Sequence, residues 1–199
     1  MKNKVFLLFF SIVIFAVLFL VACWFFLSWD QVGRYVLHFS ASQMESRGVM
    51  LSYEDLEVNR GLNPVFHIKG MEMISFAGTV EIRDIYVSLN APRSMGSLGI
   101  AMDLSIPTLL IEPRVGGMER MTTGGKGSLF FRKDLLQLHD LDFQGDISIS
   151  GAASYYNESG KIESEGLLLE VPEEMDKNLE VLRGYLPLKK IGSGKWGLK

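Results

Sequence analysis

Three observations predict a mainly β protein with flanking helices. A charge-free apolar run fills the N-terminal segment, the hydrophobic period switches from helical to two at Val49, and glycines punctuate the alternating segments that follow. The predicted layout is an N-terminal transmembrane helix, an amphipathic helix, a curved antiparallel β-sheet and one late helix. The corresponding divisions are 1–29 for a membrane anchor, 30–48 for the amphipathic helix and 49–199 for an exported β-rich domain.

The anchor rests on Val5 to Trp29, which carries no charge, Gly or Pro. At 1.5 Å per residue a helix of that length reaches about 37 Å, enough to span a bilayer core with some tilt. Lys2 and Lys4 precede it and hold the N-terminus on the cytoplasmic side, so the rest is exported. Trp24 and Trp29 are expected at the far interface. Two other readings stand beside this one. Cleavage as a signal peptide meets an apolar run that is too long and lacks an A-x-A site. Leu20-Val21-Ala22-Cys23 looks like a lipobox, but Trp24-Phe25-Phe26-Leu27 keeps the run apolar past the cysteine. Otherwise Cys23 is a small hydrophobe in a membrane helix.

Asp30 to Arg47 carries Val32, Tyr35, Val36 and Phe39 at i, i+3, i+4, i+7 and stops at Gly48. With only Arg34 and Arg47 as cations, this helix is expected to pack on the β domain through that stripe rather than lie on a lipid surface. Alternation then takes over. Val65 to Ile74 and Val80 to Leu89 each slip phase once, at Gly70 and Asp84, which reads as two β-bulges that bend the strands while keeping the apolar side inward. Ile100 to Ile106 alternates until Pro107, which marks an edge or a break. Val115 to Gly127, with five glycines, reads as turns or a flexible connection. Strands resume at Ser128–Arg132, Leu135–Phe143, Asp146–Ala153 and Lys161–Val171. Pro172 opens a late helix with the stripe Met175, Leu179, Leu182 and Leu186, closed by Pro187. Lys189 to Lys199 is a last strand or a tail.

Period two places Phe66, Ile68, Val80, Ile82, Ile85, Val87, Leu89, Ile100, Met102 and Leu104 on one side of the strands, the candidate apolar groove. His67, Lys69, Glu81, Arg83 and Asp103 fall on the other.

No catalytic constellation is evident. His38, His67 and His139 are far apart and lack a metal-ligand neighbour at i+3 or i+4. His139-Asp140 reads as a solvated turn. Gly124-Gly125-Lys126-Gly127-Ser128 lacks the spacing and the Ser/Thr of a phosphate loop and reads as a glycine-rich hairpin. A single cysteine excludes an internal disulfide, and a net charge of −3 gives no nucleic-acid footprint. Asn157-Glu158-Ser159 fits a glycosylation acceptor only weakly. The methionines of the β region fill a core or make a pliable surface. No enzyme activity, cofactor or metal is expected.

Three stretches resemble the type II secretion system protein N (GspN) family and, more loosely, AsmA-like envelope proteins. They are the two N-terminal helices with Gly48–Glu54, the strand pair Phe66–Met73 and Val80–Leu89, and Leu136–Gly151 leading to Gly166–Pro172, a helix and a glycine-rich last strand. The middle, near Val115 to Gly127, is short for that family. The resemblance implies an inner-membrane accessory, single-pass, with a periplasmic trough-like sheet. Its implied partners are the membrane and other secretion or envelope proteins in an assembly role. The alternative is a lipid-binding groove. A lipid groove leaves the apolar face uncovered, whereas a docking module fills it with the two helices.

Overall fold

The computed structural model describes residues 2–114, 119–182 and 188–198, with side chains from Ser11 onward except at positions 20, 181 and 182. The side chains of Lys2, Lys4 and Leu182, together with Gly116, Gly117, Leu186 and Pro187, lie outside these residues. Helix α1 (Lys2–Phe26) and helix α2 (Trp29–Glu45) are separated by Leu27 and Ser28 and bent by 68°. Trp29 therefore does not sit at the end of the first helix. It is buried in the first turn of α2, edge-on to both Trp24 (4.7 Å) and Phe66 (6.2 Å).

The rest of the chain is a meander closed by a hairpin. In order come β1 (Met50–Ser52), β2 (Asp55–Asn59), β3 (Val65–Ile74), β4 (Gly78–Leu89), α3 (Ala91–Ser97), β5 (Ile100–Pro113) and β6 (Met121–Arg132). They are followed by β7 (Leu135–Gly145), β8 (Ser148–Tyr156), β9 (Lys161–Glu170), α4 (Glu173–Leu182), β10 (Leu188–Gly192) and β11 (Lys195–Leu198). All described strands join one open antiparallel sheet in the order β1-β3-β4-β5-β6-β7-β8-β9-β11-β10, with β2 also on β3.

The phase slips at Gly70 and Asp84 are not bulges. The β3–β4 ladder keeps one register across them, with Lys69 opposite Asp84 and Met71 opposite Ile82. Both strands change phase at the same level, so no residue is left over. Gly70 makes the change at φ +57°, and a Cβ there would lie 2.4 Å from the Glu54 side chain. The neighbouring edge breaks at that level into β1 and β2. True register shifts lie further on, between Ile106 and Leu109, Lys126 and Ser128, Leu138 and Leu141, and at Ala152.

Three other expectations are corrected. Pro107 neither ends nor edges a strand; it sits in central β5, where the shift after Ile106 absorbs its missing N–H. The glycines at 124, 125 and 127 are strand residues of β6. A Cβ would come within 2.1 Å of the Pro107 carbonyl oxygen at Gly124 and of the Asp142 carbonyl oxygen at Gly125, so glycine serves close backbone approach here. His139-Asp140 is likewise no turn but the irregular point of β7, with Asp140 at φ +52°. Helix α3 is too short to show a hydrophobic period; Asn90 caps it through its side chain and Pro92 lies in its first turn.

Helix α2 packs on the sheet by a different face from the one periodicity selects. Trp29, Gly33 and Leu37 are buried, while Tyr35, Val36 and Phe39 are exposed. Gly33 decides this: a Cβ there would lie 2.8 Å from Leu56 and 2.9 Å from Phe66, so the helix can sit closely only on its glycine side. Leu37 then joins Leu56, Ile68, Met71, Ile82, Ile85 and Ile106 in the core.

At the other edge α4 buries Leu179 and Asp176 over the last hairpin. Trp196, fully buried, donates its Nε1–H to Asp176 Oδ1 at 2.8 Å, and Lys190 pairs with Asp176 at 2.9 Å. The Lys190 ammonium holds the Asp176 carboxyl below the usual aspartate range against the opposing effect of desolvation, helped by the Gly194 backbone and Trp196. A depressed carboxyl stabilises the fold above its unfolded value and loses that contribution as pH falls through the folded one. Melting curves from pH 7 to pH 2 should therefore show Asp176→Asn less stable at neutral pH and less sensitive to acid below about pH 4. Gly33→Leu should lower stability by about 1–3 kcal/mol through overpacking, measured by urea unfolding.

Candidate functional site

Directly opposed residues on neighbouring strands share a face, so the registers trace the apolar side across the sheet. Phe66, Val87 and Leu104 form one row, and Ile68 faces Ile85. Met71, Ile82 and Leu109 form the next, followed by Met73, Val80 and Ile111. Of the ten groove candidates, Ile68, Ile82 and Ile85 are buried in the core, and Phe66, Val80, Val87 and Leu104 pack against it. Leu89, Ile100 and Met102 lie on the same face but outside that core, Leu89 opposite Met102.

Beyond β5 the face continues through residues that the sequence reading did not select. Met102 leads to Leu129, Leu138 and Ala153. Ile106 leads across Gly125 to Phe143, Ile149, Leu169 and Trp196. The alternation Leu136-x-Leu138 was visible, but the irregular step at His139–Asp140 separates it from Leu141 and Phe143. The outermost row runs through Ile100, Phe131, Leu136, Tyr155 and Ile162. Four of its side chains are well exposed: Ile100 47%, Phe131 43%, Tyr155 39% and Ile162 46%.

The helices flank this face rather than fill it. Helix α2 covers the first edge of the face, over β1, β2 and the Phe66–Ile68 part of β3, and α4 meets β10 and β11 through Lys190 and Trp196. Helix α3 lies at β5, where Ser94 accepts from the Ala101 N–H. Between the edges, Met102, Leu129, Leu138, Leu141, Phe143 and Ile149 are only half-buried. The centre of the apolar face is thus a shallow surface with no helix of its own.

The opposite face buries Ala101 and Phe130 beside α3 and is polar elsewhere in β2 to β5. His67 Nε2 lies 2.7 Å from Asp84 and its ring stacks on Tyr86 at 4.3 Å; Lys69 pairs with Glu57, and Arg120 bridges Glu81 and Glu112 at 3.0 and 2.9 Å. A recess of about 360 Å³ there is lined by Tyr86, Ser88, Asp103, Ser105, Lys126 and Ser128. Asp103 accepts from the Ser128 hydroxyl at 2.8 Å. Among the described residues, no group of three His, Cys, Asp or Glu side chains is placed to hold a metal ion.

The model of the family described as type II secretion system protein GspN-like, Synergistales, matches residues 4–199. The chain belongs to this GspN-like family. It is accordingly a type II secretion component, and the match runs through both N-terminal helices and the whole sheet. No curated protein sequence and no solved structure matches the chain.

In this GspN-like sheet the packed and the half-buried parts of one face should respond differently to charge. Val87→Asp, beside the core, should cost about 3 kcal/mol or more, whereas Ile100→Asp should change stability by only about 0.5 kcal/mol. Urea unfolding of both variants checks the difference.

Proposed function

We propose that the chain is a non-enzymatic component of the secretion apparatus, anchored in the inner membrane by α1. Its N-terminus is cytoplasmic and its sheet domain periplasmic, where it acts by docking other secretion or envelope proteins. One observation carries the anchor. The described apolar side chains of α1, among them Ile12, Phe15, Leu18, Phe19 and Phe25, are exposed on all sides of the helix rather than packed on the domain. A soluble domain gains nothing from such a helix in water; a bilayer covers it without a protein partner. Within the described side chains no single helix is long and apolar enough to cross a membrane, and Ser11–Phe26 with Trp29–Glu45 qualifies only as a bent pair. The backbone of α1 extends to Lys2, and its 25 residues reach about 37 Å.

A second reading, a lipid groove, is the one that the uncovered centre of the apolar face favours, because the two helices leave that face unfilled. A surface bounded by α2 and α4, and ending in the row from Ile100 to Ile162, has the form a bound acyl chain requires. Docking and lipid binding differ in what copurifies with the full chain from membranes, read by mass spectrometry of both proteins and lipids.

A reporter that is active only outside the cytoplasm, fused after Lys199, should be active; activity of a cytoplasmic reporter instead would reject the topology. Cys23→Ser should leave membrane attachment and gel mobility unchanged, because the helix and not an acylated cysteine holds the chain. Loss of attachment would establish the lipoprotein instead.

A further inference from the structure

Helix α2 has three faces where a domain-packing helix needs two. Trp29, Gly33 and Leu37 form the buried one. Asp30, Arg34 and His38 lie to one side of it, with Asp30 paired to Arg60 at 2.7 Å. On the other side Val32, Tyr35, Val36 and Phe39 follow one another along the helix, and Tyr35 (72%), Val36 (53%) and Phe39 (55%) are exposed. The Tyr35 and Phe39 rings stack on each other at 6.5 Å and touch no other ring among the described residues. Apolar residues are thus segregated from polar ones on the part of the helix that the sheet does not cover.

The closeness of α2 to the end of α1 points to the partner of this stripe. Two residues separate the helices, and Trp24 in the last turn of α1 donates to the Leu62 carbonyl at 3.2 Å, so the domain is held close to where α1 ends. With α1 along the bilayer normal, a bend of 68° leaves α2 about 22° from the membrane plane. From Trp29 to Phe39 its axis then rises by only about 6 Å, comparable with the thickness of one headgroup layer. A helix about 10 Å across cannot clear that layer over this length.

We propose that α2 lies in the headgroup region, with Val32, Tyr35, Val36 and Phe39 against the lipid while Trp29, Gly33 and Leu37 hold the sheet. The inference rests on the reading of α1 as an anchor. The scarcity of lysine and arginine on α2 is then no objection, because α1 supplies the attachment that an isolated surface helix must obtain from charge. The sheet is consequently fixed against the bilayer rather than swinging on a tether, with the β2–β3 connection at Leu62 on the membrane side.

Site-directed spin labelling of the full chain in phospholipid vesicles tests this. In a Cys23→Ser background, single cysteines at Val17, Arg34, Val36, His38 and Phe39 carry a nitroxide, and collision with oxygen is compared with collision with a water-soluble nickel chelate. Labels at 17, 36 and 39 should favour oxygen, and those at 34 and 38 the chelate. If 17 favours oxygen while 36 and 39 favour the chelate, the anchor stands and the seating of α2 is wrong. Shielding of 36 and 39 from both reagents with dipolar broadening assigns the stripe to a second copy of the chain; shielding without broadening assigns it to the chain's own fold, and either overturns the proposal. A chelate-accessible label at 17 rejects the anchor and the seating together.

Discussion

Everything in this fold follows from one constraint: the eleven described strands form a single sheet with one apolar face, and two helices cannot cover it. The registers carry that face from Met73 and Val80 on one side to Leu169 and Trp196 on the other. Burial is deep beneath the two helices, and Met121, Thr123 and Ile147 are buried as well. At the first edge Gly33 lets α2 approach until Leu37 enters the core; at the second, Asp176 pins α4 to Trp196 and Lys190. Burying a carboxylate there is tolerable because an ammonium and an indole N–H both meet it. Between these clamps the face stays half-covered, and the docking and lipid readings compete for that surface.

The middle of the sheet is shaped by close backbone approach and displaced registers. Gly124 and Gly125 lie against carbonyls of β5 and β7 that any side chain would strike, and Gly125 also opens the space between Ile106 and Phe143 on the apolar face. Register shifts occur in every ladder from β5–β6 to β8–β9, whereas β3–β4 has none. The shifts are not confined to the uncovered part: one begins at Ile106 in the core, and the β10–β11 hairpin under α4 is shifted between Lys190 and Gly192. The packed half around Ile68, Ile82 and Ile85 keeps its ladder regular, as a face under a tight helix must to keep its side chains aimed inward.

Much of this was legible in the residues because alternation reports side-chain direction directly. The mainly β class, the bounds of β3 and the position of α2 follow from period and flanking glycines. What was not legible depended on contacts between distant segments. Periodicity chose Val32, Tyr35, Val36 and Phe39 for packing, yet a glycine at position 33 decides which side of α2 can approach the sheet, and only the positions of Leu56 and Phe66 reveal it. Glycines at 124, 125 and 127 have the composition of a turn, and only the neighbouring carbonyls make them strand residues. Pro107 looks like a strand end until the shift beside it is seen. For the candidate site, the first strands of the apolar face could be read, but its extension beyond β5 could not, because the register shifts break the alternation that would have announced it.

The apolar face is sealed beneath α2 and accessible in its middle, and native-state cysteine reactivity measures this most directly. In a Cys23→Ser background, single cysteines replace Leu138 in the centre and Ile82 in the core of the purified, delipidated full chain. A small maleimide should modify position 138 under native conditions at a rate independent of stability, and position 82 only as fast as the fold opens. Equal protection at both positions would mean that the chain fills its own apolar face, which contradicts the account.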